Sequence, residues 1–292
     1  MNVRPATPED YPVIAALFAA ADEAASGRPS HLNADVVDAW LQTIALETNT
    51  WILEDGGKLV GSAFAQLFGE KGNAAGAVHP SERGRGLGTR LVELMEARMT
   101  EEGAKLLHAW TIAGDSAAEE LFTARGFREV RRFWDMAIDL APEPPEPAAR
   151  IETFREADGP AFHAALEEAF AEGWKHVPES FDAWWERQRR RSNHDPSLWF
   201  LIRDGDEIAA ICRGESREDG GYVGMLGVRP AWRRRGYARD LLLHAFREFR
   251  RRGHTRASLG VDAANRTGAT QLYESVGMEV ELENVVWEKI YA

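Results

Sequence analysis

Cysteine is almost missing from this chain: Cys212 stands alone among 292 residues. A single thiol excludes an intrachain disulfide, a paired-cysteine zinc site and a CxxC redox motif, and it suits a reducing cytoplasm. Long apolar runs are missing too. The opening MNVRPATPED has no apolar signal-peptide core, and no stretch approaches the ~20 apolar residues that span a bilayer. The expectation is a cytoplasmic protein with no membrane partner. Basic charge is in deficit, with 35 Lys and Arg against 47 Asp and Glu, a net charge of −12 and a pI near 5.2. Such a chain is not expected to bind nucleic acid, because duplex binding rests on neutralising phosphates. The eight histidines show no HExxH or comparable spacing, so no metal is expected.

The charge deficit is uneven. Residues 1–145 carry 13 basic and 22 acidic side chains and residues 146–292 carry 22 and 25, so the net charges are −9 and −3. Between the halves lies APEPPEPAAR (141–150), whose four prolines allow neither helix nor central strand and read as an extended spacer. Its two sides match at an offset of roughly 150 residues, as expected of an internal repeat. VRPATPEDYPVIAALFAA pairs with IETFREADGPAFHAALEEAF, and WILEDGGKLVGSAFAQL with WFLIRDGDEIAAICR. In the second pair, Asp-Gly breaks two apolar runs, the strongest short hairpin signal. Each copy closes on a helix, a glycine and a last strand. The reading is an α/β (α+β) fold in two tandem domains, 1–140 and 150–292 joined by linker 141–149, each a mixed, mostly antiparallel sheet flanked by helices.

Against the acidic background, HPSERGRGLGTRLVELME (79–96) and RPAWRRRGYARDLLLHAF (229–246) concentrate arginine around glycine. From Ala238 the apolar residues fall at 238, 241, 242, 245, 246 and 249, the stripe of an amphipathic helix. Each loop therefore joins a strand end to a helix N-terminus, where unpaired N–H groups and the positive end of the macrodipole attract anions. Gly236 allows close approach and positive φ, and the arginines add forked donors. Cations at a helix start are unfavourable unless an anion sits there, so the natural guest is a pyrophosphate. The arginine runs at 187–191 and 250–252 read instead as solvated helix ends.

These loops resemble the signature [Q/R]-x-x-G-x-[G/A] of the GCN5-related N-acetyltransferase (GNAT) superfamily. It is met by Arg83-Gly84-Arg85-Gly86-Leu87-Gly88 and by Arg233-Arg234-Arg235-Gly236-Tyr237-Ala238, and downstream come Asn265, Leu272-Tyr273-Glu274 and Gly277. The tandem order, with AFAEGWKHVPESFDAWWE (169–186), is similar to the mycothiol synthase type of double GNAT protein. The resemblance implies acetyl-CoA as co-substrate, seated in a gap between the fourth and fifth strands of a domain. Leu226, Gly227 and Val228 would meet the pantetheine, the loop through Arg239 the pyrophosphate, and Asn265 the pantetheine's flank. Tyr273 would protonate the departing thiolate. In the first copy Ala77, Val78, the loop from Arg83 to Gly88, and Thr89 correspond. Phe122 and Gly114 stand there where the second copy has Tyr273 and Asn265, so chemistry is expected in the second copy.

An amine acceptor must lose a proton before attack. Glu215, Glu218 and Asp219, read as lying between strands three and four, and Asp262, at the end of strand five, are the candidate bases. Glu172, Trp174, His176 and Trp185 fall where the family builds its acceptor pocket. The expected activity is acetyl transfer to a primary amine of a small molecule, the acidic surface favouring a cationic acceptor. A peptide or protein N-terminus and a non-catalytic acetyl-CoA sensor stay open as alternatives.

Overall fold

Both Asp-Gly pairs sit where the chain reverses. Strands β2 (Thr50–Asp55) and β3 (Lys58–Phe68) are joined through Gly56 and Gly57, with φ of 58° and 80°, a turn that matches strand twist. The computed structural model describes residues 1–265 and 267–291, and these fall into two units.

The first unit comprises Met1–Trp134, Asp262–Ala264 and the stretch from Leu282 on. Its elements are β1 (Asn2–Arg4), α1 (Tyr11–Ser26), α2 (Ala34–Leu41), α3 (Leu46–Asn49), β2, β3, β4 (Lys71–Val78), α4 (Leu87–Glu101), β5 (Leu106–Ile112), α5 (Ser116–Ala124) and the start of β6 (Arg128–Asp139). The pairs β1·β2, β2·β3 and β3·β4 are antiparallel, and β4·β5 is parallel.

The second unit comprises Asp135–Val261 and Asn265–Glu281. It holds β7 (Glu152–Thr153), α6 (Gly159–Phe170), α7 (Phe181–Arg189), β8 (Trp199–Asp204), β9 (Glu207–Arg217), β10 (Gly220–Val228), α8 (Tyr237–Arg251), β11 (Arg256–Asp262) and α9 (Ala269–Ser275). Here β7·β8, β8·β9 and β9·β10 are antiparallel and β10·β11 parallel, the same mixed plan. As the spacing predicts, α8 buries Leu241, Leu242, Ala245, Phe246 and Phe249. Among the described residues no helix is long and apolar enough to cross a membrane.

The boundary differs from the sequence expectation in two respects. First, β12 (Glu279–Ile290), the last strand of the second copy, gives its distal part to the first unit: Asn284 to Ile290 pair antiparallel with Ile112 to Leu106 of β5. Packing explains why. Val285 and Trp287 belong to the first unit's core, where Trp287 stacks on Phe122 at 5.9 Å and donates from Nε1 to Thr111 Oγ1 at 2.9 Å. Second, the proline-rich stretch is not a free spacer. The Ala148 and Ala149 amides each donate to the Asp240 carboxylate at 3.1 Å, and Arg247 donates to Pro144 O at 2.8 Å, which tacks it onto α8.

Residues 1–140 alone are therefore expected to lack a cooperative unfolding transition. In the full chain Trp287→Ala should destabilise the first unit by about 3–5 kcal/mol through loss of a buried aromatic. Denaturant unfolding followed by circular dichroism measures both.

Candidate acetyl-transfer site

The glycine loop of the second unit takes its shape from two left-handed residues. Arg234 has φ of 65° and Gly236 has φ of 84°, and α8 begins at Tyr237 with Gly236 as an N-cap that offers no side-chain acceptor. Alternation of this kind turns successive amides to one side and makes a concavity for an anion. The first helical amides, of Tyr237, Ala238 and the exposed Arg239, extend the same donor row. A Cβ on Gly236 would meet nothing within 4 Å, so the space above it is open. The first unit repeats the geometry with Gly84 (φ 77°) and Gly86 (φ 76°) before α4. Gly88 there lets α5 approach, since a Cβ would lie 3.1 Å from Leu121.

The arginines behave differently from the sequence expectation. Arg233 turns back, donating to Val228 O (3.3 Å), Ala169 O (3.5 Å) and Glu172 Oε2 (3.0 Å). Arg235 reaches Asp204, Arg83 reaches Asp115, and Arg85 reaches Asp55 and Glu82. Only Arg234, of these five, has no ion pair among the described residues. The backbone amides supply most of the donors, and the other side chains fasten the loop.

Beside the loop the sheet opens. Among the described residues the parallel pairing of β10 with β11 covers Gly221↔Ala257 and Tyr222↔Ser258 alone. Immediately beyond, the β10·β9 register shifts between Val223 and Met225, inserting Gly224 as a bulge. Leu226, Gly227 and Val228 remain paired with Cys212, Ile211 and Ala210 of β9, while their other edge has left β11. Gly227 is dictated by packing: a Cβ would sit 2.9 Å from Ala169 Cβ on α6. In the first unit five parallel pairs, Lys71↔Leu106 to Ala75↔Trp110, precede the opening at Ala77 and Val78, and β3·β4 carries no bulge.

Tyr273, on α9, is 7% exposed, and burial pushes its phenol well above the ordinary value, so it stays protonated at neutral pH. Asn265 folds the preceding turn, its Oδ1 accepting from Thr267 N at 2.8 Å. At the corresponding place in the first unit, Phe122 packs edge-on against Phe127 at 5.0 Å and against Trp287, a hydrocarbon core.

Two of the candidate bases are otherwise engaged. Glu215 lies within β9 rather than in a loop and is 2% exposed. Its Oε1 accepts from Arg191 (2.9 Å) and is ion-paired with Arg213 (3.0 Å), and its Oε2 accepts from Asn193 (2.9 Å) and Arg217 (2.8 Å). Burial alone would raise its pKa, but the Arg213, Arg217 and Arg191 guanidiniums hold the carboxyl below its usual range. It is a fixed anion and a poor proton acceptor. Asp262, counted with the first unit, is clasped by the Arg131 fork at 2.8 and 2.7 Å and also accepts from Ala264 N, so both oxygens are committed. Glu218 is exposed, and Asp219 has a buried Oδ1 without a partner. Glu172 pairs with Arg233, and His176 is held by Glu167 at 2.9 Å. Trp174 is half-buried beside Lys175. Trp185 belongs to an aromatic core with Phe154, Phe181 and Trp184. The grouping of Arg191, Arg213 and Arg217 escaped the sequence reading; its signal was the period-two order of Arg213, Glu215 and Arg217 along one strand.

Glu215→Gln leaves three guanidiniums without their counter-charge, and a loss of about 3–5 kcal/mol is expected from denaturant unfolding. The folded-state pKa of Glu215 is depressed, so its contribution is complete above the unfolded carboxyl's range. It disappears as pH falls through the folded value. The wild type–variant gap should therefore narrow on acidification.

The profile of the Acetyltransferase (GNAT) family matches residues 15–127 and 159–278. The chain is 32% identical over 287 residues to a mycothiol acetyltransferase of Thermobispora bispora, covering 93% of each chain. A second such relative, from Streptomyces coelicolor, is 34% identical over 242 residues, 76% of this chain and 74% of that one. Among solved structures, a GCN5-related N-acetyltransferase from Sphaerobacter thermophilus superposes with a TM-score of 0.86 at 32% identity, over 99% of this chain and 95% of the other. A tandem GNAT protein from the clavulanic acid biosynthesis pathway shares the fold at a TM-score of 0.72 and 17% identity, over 99% and 98%. With the signature loop built twice and the family profile matched twice, the chain belongs to the GNAT family as a tandem acetyltransferase.

Proposed function

We propose that the second unit transfers the acetyl group of acetyl-CoA to the primary amine of a small molecule. The observation that carries this reading is a coincidence found in the second unit alone: an anion-binding loop, a bulged strand with one open edge, and a buried neutral phenol. Acetyl-CoA supplies an activated thioester carbonyl. The amides from Arg235 to Arg239 hold its pyrophosphate, and the open edge at Leu226–Val228 pairs with the amide groups of its pantetheine arm. Asn265 shapes the turn at that arm's flank. The amine, having lost its proton to water, attacks the carbonyl carbon, so a C–N bond forms as the C–S bond breaks. Tyr273 gives its proton to the leaving thiolate, for which a phenol of high pKa is a suitable acid, and the proton that the nitrogen sheds as the amide forms returns through water to restore the phenol. Glu215 and Asp262 fix the scaffold and take no proton in this scheme. The relative from Thermobispora bispora is named a mycothiol acetyltransferase, and a small-molecule acceptor is consistent with that name.

The loop of the first unit has the same backbone form, with Ala77 and Val78 on its open edge, so it binds coenzyme A without turning it over. Calorimetry with coenzyme A should count two sites per chain. Gly236→Val forces a β-branched residue into a left-handed position and should remove the second unit's site, and Gly86→Val the other. A wild-type chain with one site would assign the first unit a purely structural part.

Tyr273→Phe removes one hydroxyl while keeping the ring. Loss of a general acid costs typically ~10²–10⁴-fold. The loss should fall on kcat with acetyl-CoA affinity nearly unchanged. Phe122→Ala should lower stability yet keep turnover per folded molecule. Thiol release from acetyl-CoA across an amine panel measures both, and full kcat in Tyr273→Phe would remove the phenol from the mechanism.

A further inference from the structure

Resting on the acetyl-transfer reading of the second unit, we infer that the acceptor carries, besides its amine, an anionic oxygen group such as a carboxylate or phosphate, received between Arg191 and Arg217 beside Tyr222. The argument begins with alternation along β9. Ile211, Arg213, Glu215 and Arg217 share one face, the face on which Ile211 and α6 meet at Gly227. Gly214 points the opposite way, where a Cβ would lie 3.0 Å from Phe249 of α8. The arginine cluster is thus on the face away from α8, whose N-terminus carries the pyrophosphate loop. It also stands at the mouth of the opened sheet. A Cβ on the bulge residue Gly224 would sit 2.6 Å from Arg213 Nη2, and Tyr222 is the last residue of β10 still paired with β11. A donor entering along the open edge and an acceptor seated on this face approach the same strand from its two sides.

The charges there do not balance. Three guanidiniums share the single carboxylate of Glu215. Arg213 donates from Nη1 to Gln188, while its own Nε and the Gln188 Nε2 are buried donors without a partner. Burial pulls the Arg213 guanidinium down to about 10, with Glu215 opposing the shift and Arg191 adding to it. Arg217 places its Cζ 3.5 Å from the Tyr222 ring centroid and gives its Nε and Nη2 to Glu215 Oε2, at 3.2 and 2.8 Å, which leaves its Nη1 for an incoming anion. Asp135 lies at the hydroxyl end of Tyr222, beside Gly260 of β11, and Arg187 is occupied by Glu179. Arg191 and Arg217 keep 16% of their side-chain surface exposed, so they are the members an incoming group reaches. Buried charge without a partner is costly, and an oxygen-rich anion meets both the surplus charge and the surplus donors. The inference reverses the sequence-based expectation of a cationic acceptor, because the local field at the site has the opposite sign to the net charge.

The test compares matched amines that differ by one anionic group, tyramine against tyrosine and glucosamine against glucosamine 6-phosphate, by acetyl-product formation from acetyl-CoA in the full chain. A charged hydrogen-bonded contact predicts a kcat/KM ratio of about tenfold to hundredfold in favour of the anionic member of at least one pair. Arg217→Gln and, separately, Arg191→Gln should bring that ratio towards one, while Arg217→Lys retains part of it; circular dichroism and coenzyme A affinity report the fold. A preference for the neutral amines, or a ratio unmoved in both glutamine variants, overturns the inference. A second arm does not depend on turnover. In protein saturated with coenzyme A, phosphate should raise Tm relative to chloride at equal ionic strength, and either glutamine variant should lose that increment. Equal Tm in the two salts also overturns it. If no amine is acetylated while phosphate still stabilises the wild type alone, the transfer reading fails and the anion site stands.

Discussion

Strand β10 must satisfy two opposed demands. It has to stay in the sheet on its β9 side and leave the sheet on its β11 side within the space of a few residues. A regular strand cannot do this, because backbone groups that abandon a partner need water or a ligand in its place. The Gly224 bulge makes the transition, Gly227 lets α6 press close enough to hold the freed segment, and the strand then leads through the turn Pro230–Trp232 into the left-handed pair at Arg234 and Gly236. The open edge and the glycine loop are consecutive parts of one backbone path. Their relative placement is set by chain connectivity rather than by side-chain contacts.

The two units share this path but diverge in what surrounds it. The first keeps both positive-φ positions as glycine, whereas the second spends one on Arg234. The first continues its parallel pairing further and lacks the bulge, and where the second buries a phenol the first stacks Phe122 on an indole. The loop backbone is thus alike in two units whose surrounding side chains differ, as expected if folds and reactive groups change independently.

What the sequence made legible follows from range. The hairpin turns, the amphipathic stripe of α8 and the glycine loops are local, and each was readable from neighbours a few residues apart. Glu215 was misplaced because RGESRED has the composition of a turn, and only its pairing with Tyr222 makes it strand. The association of Arg191 with Arg213 and Arg217 depends on the meeting of α7's end with β9, which no spacing encodes. Read as a solvated helix end, the run at 187–191 was right for Arg190, which pairs with Glu186 near the surface, and wrong for Arg191. The exchange of β12 was hidden for the same reason, since Trp287 sits in a stretch that suits either unit's last strand equally well.

That exchange bears on how the chain is made. Thr111 and the Trp287 that it binds are 176 residues apart, so the first unit's sheet lacks this strand until the stretch around Trp287 has been synthesised. At about 5–20 residues per second, that interval is on the order of ten seconds or more on the ribosome. Throughout it, the β5 edge and the apolar surface around Phe122 await their cover. Vectorial synthesis therefore completes the second unit's loop and α8 before the first unit can close, and the half that leaves the ribosome first is the last to reach its native core.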